Sequence, residues 1–145
     1  MNLFENLTKS YANNIAVIND NEEKISYAKF DDHSKYLKDK VPARSLVFSL
    51  NKNTLGSIIG YYSFLKNKVV PLMLEAKMDF ELLENLIATY SPEYLWLPSE
   101  NTSLFQNAEV VCSIYDYSLI KLECKNKFIL NNDLALLLGT SGSTG

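Results

Sequence analysis

Three apolar runs open at Ser45, Val69 and Tyr94, about 25 residues apart, with a helical pattern after each of the first two. Ser45 to Leu50 (Ser-Leu-Val-Phe-Ser-Leu) reads as a strand. Thr54 to Lys66 reads as a helix with Leu55, Ile58, Ile59, Tyr62 and Leu65 at helical spacing, and Val69 to Met73 as the next strand. Asp79 to Tyr90 is a second helix: Asp79 caps it, Glu81 suits its first turn, and Leu82, Leu83, Leu86, Ile87 and Tyr90 form its apolar stripe. Pro92 stops that helix, Tyr94 to Leu97 is a third strand and Glu109 to Ser113 a fourth. Strand, helix and strand in this rhythm require crossover connections, which join parallel strands with a right-handed turn. The expected fold class is therefore α/β: a partial doubly wound, mainly parallel sheet with flanking helices.

The flanks complete the domain. Leu3 to Tyr11 reads as a helix, and Ile15 to Ile18 with Glu23 to Ile25 as a short hairpin around Asn19-Asp20-Asn21. Ser26 is placed to cap a helix whose Tyr27, Phe30 and Leu37 face the core. Tyr117 to Leu122 and Lys127 to Leu130 read as strands, and Asn131-Asn132-Asp133 as a turn that launches a last apolar strand, Leu134 to Leu138. No linker or low-complexity segment interrupts the chain, so its 145 residues are expected to form one α/β unit.

Charge and composition exclude several classes. A net charge of -3 with scattered lysines leaves no footprint for nucleic acid. Cys112 and Cys124 form no Cys-x-x-Cys or Cys/His pair, so no metal site is expected, while a disulfide between them stays open. Leu55 to Leu65 is the longest apolar region; it is too short to span a bilayer and is broken by Gly56, Ser57 and Gly60. With no signal peptide evident, the expected location is cytoplasmic. His33, beside Asp31 and Asp32, reads as part of a solvated helix face in preference to an acid–base or metal site. Gly56-x-x-x-Gly60 lets a helix come close to the sheet, at some cost in helix propensity.

The last stretch, Leu-Ala-Leu-Leu-Leu-Gly-Thr-Ser-Gly-Ser-Thr-Gly, runs from Leu134 to Gly145. An apolar strand feeds a loop of small residues. Backbone N–H groups in such a loop can approach phosphate oxygens, and the hydroxyls add donors. The loop is not a Walker A motif: counting from Gly139, the second glycine would fall at Thr144, and no Lys follows. Nor is it a dinucleotide fingerprint, whose first glycine would fall at Thr140. A flexible Ser/Gly linker is the plain alternative.

Thr140, Ser141, Gly142, Ser143, Thr144 and Gly145 match, in order, the first six positions of Thr-Ser-Gly-Ser-Thr-Gly-x-Pro-Lys-Gly. In this the chain resembles the adenylate-forming superfamily: acyl-CoA synthetases, peptide-synthetase adenylation domains, D-alanine–carrier-protein ligases and firefly luciferase. Ser26-Tyr27-Ala28-Lys29-Phe30 stands where that family has Thr-Tyr-x-Glu-Leu, with Lys29 in place of the capping Glu. Leu65-Lys66-Asn67-Lys68-Val69-Val70-Pro71-Leu72 stands where it has Leu-Lys-Ala-Gly and a strand ending Val-Pro; Asn67 or Lys68 takes the place of the C-capping Gly, and Asn67 is the better substitute.

The resemblance implies that residues 1–145 are a truncated N-terminal subdomain of an AMP-binding domain. Ser141, Ser143 and Thr144 would offer hydroxyls to the β- and γ-phosphates of ATP, and Gly142 and Gly145 would allow the tight wrap. The parent enzyme would use ATP and magnesium, activate a carboxylate as an acyl-adenylate, and pass it to the thiol of CoA or an acyl carrier protein. The family's catalytic and metal-binding residues fall after its loop, so none is assigned here. The chain alone is expected to be inactive, to hold no nucleotide tightly, and to self-associate through Leu134 to Leu138. The alternatives are a self-standing, non-catalytic α/β interaction module and a small phosphate-binding protein.

Overall fold

The computed structural model describes residues 3–139. A six-stranded mixed sheet has the order β6-β7-β5-β3-β4-β8, formed by Glu109–Ile114, Tyr117–Lys121, Tyr94–Pro98, Leu46–Asn51, Val70–Glu75 and Leu137–Leu138 in that order. A separate antiparallel hairpin pairs β1 (Ile15–Ile18) with β2 (Lys24–Ser26), and Asn19 Oδ1 ties its turn by accepting from the amides of Asn21 and Glu23. The helices are α1 (Leu3–Ser10), α2 (Tyr27–Lys38), α3 (Leu55–Lys66) and α4 (Phe80–Tyr90).

The expected rhythm is present. Strand β3 pairs parallel with β4 on one side and with β5 on the other, and β4 pairs parallel with β8. Alternate residues of each central strand feed two separate cores. Val47, Tyr94, Trp96, Tyr117 and Leu119 pack with Phe30 and Leu37 of α2 and Ile59 and Phe64 of α3. Leu46, Phe48, Leu50, Leu95, Leu97 and Ile120 pack with Leu83 of α4. Apolar residues at both parities are what a strand covered on both faces requires. On the far side of β5 the sheet turns antiparallel: β7 runs against both β5 and β6, and the two-residue link Tyr115-Asp116, too short to cross over, makes β6 and β7 a hairpin.

The caps fall where they were expected. Ser26 Oγ accepts from the Lys29 amide at 3.3 Å, and Asp79 Oδ1 from the Leu82 amide at 3.1 Å. Thr54 precedes α3 without a side-chain cap bond; the carboxylate of Asp116, from the β6–β7 turn, accepts from the Gly56 amide at 3.2 Å instead.

Several expectations fail in detail. Asn67 does not take the left-handed position after α3: its φ is -89°, and Lys68 adopts φ 59° one residue later. The Asn67 side chain instead donates to the Ser34 carbonyl at 2.8 Å, tying α3 to α2. Ile58 is exposed, because the face of α3 turned to the sheet is centred on Gly56, Ile59, Gly60 and Ser63. Leu82 and Tyr90 of α4 are likewise exposed, leaving Leu83 as that helix's one buried residue. Lys127 to Leu130 forms no strand: both edges of β3, β4 and β5 are already paired. Leu134 to Leu138 contributes a strand only at Leu137–Leu138. Both cysteines are free.

Candidate functional site

Ligands of open α/β sheets gather beyond the C-terminal ends of the parallel strands. Here those ends are Asn51 of β3, Glu75 of β4, Pro98 of β5 and Leu138 of β8. The register sets Leu72 beside Leu137 and Met73 beside Leu138, and the Gly139 amide reaches the Met73 carbonyl at 3.4 Å. The chain therefore reaches Gly139 toward the C-terminal end of the sheet's parallel strands. The six predicted site residues, Thr140, Ser141, Gly142, Ser143, Thr144 and Gly145, lie outside the described residues.

The floor of this end is a polar network. Asn51 Oδ1 accepts from Ser49 Oγ and from Ser57 Oγ, both at 3.0 Å. Its Nδ2 donates to the carbonyls of Ser49 at 2.8 Å and Leu74 at 3.2 Å. One amide side chain thus links β3, β4 and α3. Next to it, the buried Tyr117 hydroxyl donates to the Leu50 carbonyl at 2.6 Å and accepts from the Lys52 amide at 3.0 Å. Burial pushes the Tyr117 phenol's pKa up, against bonds that pull it down, so the hydroxyl keeps its proton and its donor role.

A cleft of about 560 Å³ opens over this floor, lined by Asn51, Lys52, Asn53, Glu75, Ala76 and Lys77. Lys52 Nζ pairs with Glu100 at 2.7 Å. The cleft's lining mixes two ammonium groups and two carboxamides with the Glu75 carboxylate, and the Asn51 carboxamide is already bonded to Ser49, Ser57 and Leu74. The sequence reading missed these residues. Their signal was Asn-Lys-Asn-Thr directly after one apolar strand and Glu-Ala-Lys directly after the next, at strand C-terminal ends. A second cleft, about 490 Å³, lies on the other side of the α3 N-terminus between the β1–β2 hairpin and Tyr115 and Asp116.

His33 corrects an expectation. It is half-buried, not solvated, and its ring stands edge-on to Tyr115 with centroids 5.4 Å apart. Burial, with Lys29 adding to it, lowers its pKa, so the imidazole is neutral at physiological pH. Among the described residues, no group of three or more His, Cys, Asp and Glu side chains lies close enough to hold a metal ion. No helix among them is long and apolar enough to cross a membrane.

No protein-family model matches the sequence, and no curated protein matches it. Solved structures do share its fold. O-succinylbenzoate coenzyme A synthetase (MenE) from Bacillus subtilis, in complex with AMP, superposes with a TM-score of 0.66 at 16% identity, covering 99% of this chain and 40% of that one. The N-terminal subdomain of Klebsiella oxytoca NpsA, in complex with 3-hydroxyanthranilyl-AMSN, gives 0.63 at 20% identity over 98% of this chain and 37% of that one. The anthranilate CoA ligase AuaEII, in complex with anthranoyl-AMP, gives 0.62 at 11% identity over 72% and 21%. The chain has the fold of the N-terminal subdomain of adenylate-forming enzymes, as the sequence resemblance implied. It spans between 21% and 40% of the length of these three.

Proposed function

We propose that this chain is the N-terminal part of an ATP-dependent ligase that activates a carboxylate as an acyl-adenylate and passes it to a thiol of CoA or a carrier protein. In this reading Thr140 to Gly145 hold the ATP phosphates, with Ser141, Ser143 and Thr144 as hydroxyl donors. The observation that carries the reading is where β8 ends. It runs parallel to β4 and reaches Gly139 at the C-terminal edge of the sheet, one residue before the phosphate-loop pattern. Neighbours of this fold are seen with AMP, anthranoyl-AMP and an adenylate analogue.

The chemistry fits such a place. Attack of the carboxylate on the α-phosphorus expels pyrophosphate, on which charge accumulates. Donors fixed in advance around those oxygens lower the barrier. Magnesium, if the parent enzyme uses it, would supply positive charge to offset that of the phosphates. The protein would work in the cytoplasm, where ATP and CoA are abundant.

ATP–pyrophosphate exchange tests the reading. The protein encoded by the full reading frame should exchange label when given its carboxylate, and Ser143→Ala should lower the rate by about 100-fold, the usual loss on removing one oxyanion donor. The 145-residue chain alone should show none above background. A stop codon immediately after Gly145, or full exchange in the Ser143→Ala protein, would sink the proposal.

A further inference from the structure

The stretch that delivers β8 is tied to the body of the domain by two hydrogen bonds from one side chain just ahead of β3. Arg44 Nη1 donates to the Leu134 carbonyl at 2.9 Å, and Nη2 donates to the Asn131 carbonyl. Those carbonyls bracket the Asn131-to-Leu134 turn, which also closes on itself through the Leu134 amide at 3.1 Å. The guanidinium therefore grips both ends of the turn from which β8 departs.

The backbone of Arg44 makes the choice of residue informative. Its φ is 67°, in the left-handed region where glycine costs least. Its amide donates to the carbonyl of Lys68, another left-handed non-glycine residue, at 2.8 Å. A turn of this shape favours glycine on backbone grounds. An arginine there is explained by what its side chain does.

We propose that Arg44 is a positioning residue: its guanidinium clasps the 131–134 turn, fixes β8 against β4, and so sets where the chain presents Gly139 and the loop pattern after it. The importance of that position for nucleotide rests on the function proposed above; the clasp itself does not.

Hydrogen exchange on the 145-residue chain decides the clasp. Arg44→Gly removes the side chain and relieves the backbone, so it leaves the core folded. The amides of Leu137 to Gly139 should then exchange about 10- to 100-fold faster, the loss expected for two charged hydrogen bonds, while those of β3 and β5 keep their protection. Arg44→Lys, with its charge but no fork, should fall between. Unchanged protection of β8 in Arg44→Gly would overturn the proposal. In the full-length protein, Arg44→Gly should raise KM for ATP and leave KM for the carboxylate unchanged. A wild-type KM for ATP would refute the positioning role even if β8 loosened. If the wild-type protein shows no exchange with pyrophosphate, the nucleotide reading fails, and hydrogen exchange alone judges the clasp.

Discussion

Two apolar regions of this molecule have opposite fates. Where α3 crosses β5, the Trp96 ring is fully buried and its Nε1 donates to the Gly56 carbonyl at 3.1 Å. A Cβ on Gly60 would stand 2.2 Å from that nitrogen, and one on Gly56 would meet Asp116 and Tyr117 at 2.6 and 2.7 Å. At β8, by contrast, Leu138 is 70% exposed, while a Cβ on Gly139 would make only ordinary contacts, the nearest at 3.4 Å. Composition does not distinguish the two regions; the number of neighbouring elements does. Strands β3 and β5 have a partner on each edge and helices over their faces, whereas β8 has β4 alone among the described residues.

The largest expected effect lies at the crowded end. Gly60→Ala should cost about 2–3 kcal/mol, the overpacking penalty exceeding the helix-propensity gain of the alanine. Urea unfolding followed by fluorescence of the sole tryptophan, Trp96, measures it. A wild-type midpoint would erase the contrast between the two regions. Tyr117→Phe comes next. It removes the donor to Leu50 and the acceptor for Lys52, and should cost about 1–2 kcal/mol in the same assay.

The α2–α3 contact sharpens the comparison through pH. Asp31, whose side chain is 16% exposed, pairs with Lys66 and with Lys35. Burial alone would raise its pKa, but hydrogen bonds and charge from Lys66 and Lys35 outweigh it and hold the carboxyl below its ordinary value. A depressed carboxylate stabilises the fold fully above the unfolded-state pKa of about 4, and that contribution is lost as pH falls through the folded value. Asp31→Asn should therefore lose about 1 kcal/mol at pH 7 and show a shallower decline of Tm on acidification. Parallel declines in the two proteins would mean the pair contributes nothing.

What the sequence revealed followed the same division. The spacing of Ser45, Val69 and Tyr94, and the caps at Ser26 and Asp79, were readable because they depend on local periodicity and on backbone donors a few residues away. The glycine pair of α3 was read correctly as a close approach, though its partner, Trp96, was not. The exposure of Ile58, Leu82 and Tyr90 was not readable, because it depends on the angle at which each helix meets the sheet. Of the two residues that could end α3 left-handed, Lys68 does so and the preferred Asn67 does not, because a tertiary bond to Ser34 holds the Asn67 side chain. Lys127 to Leu130 has strand composition, but β3, β4 and β5 are each paired on both edges, and no window of sequence contains that fact. The cleft residues Asn51, Lys52 and Lys77 were overlooked for a related reason: two loops far apart in sequence meet only once β3 and β4 pair.

The smallest effects should come from the open end, and they are the sharper test because the sequence alone suggests the reverse. Leu138 sits in the most apolar run of its neighbourhood, so a reader of sequence would forecast severe damage from Leu138→Lys. At 70% exposure the side chain has little apolar area to lose, and the two-residue pairing of β8 with β4 uses backbone groups the substitution leaves in place. Leu138→Lys and Gly139→Ala should each change stability by less than about 0.5 kcal/mol. Sedimentation of the Leu138→Lys protein adds a second readout: if copies of the chain associate through this strand, the wild type should sediment with a concentration dependence that a charge there abolishes. A large loss of stability in either variant would mean that β8 is held more tightly than its exposure indicates, and the division between the two regions would have to be abandoned.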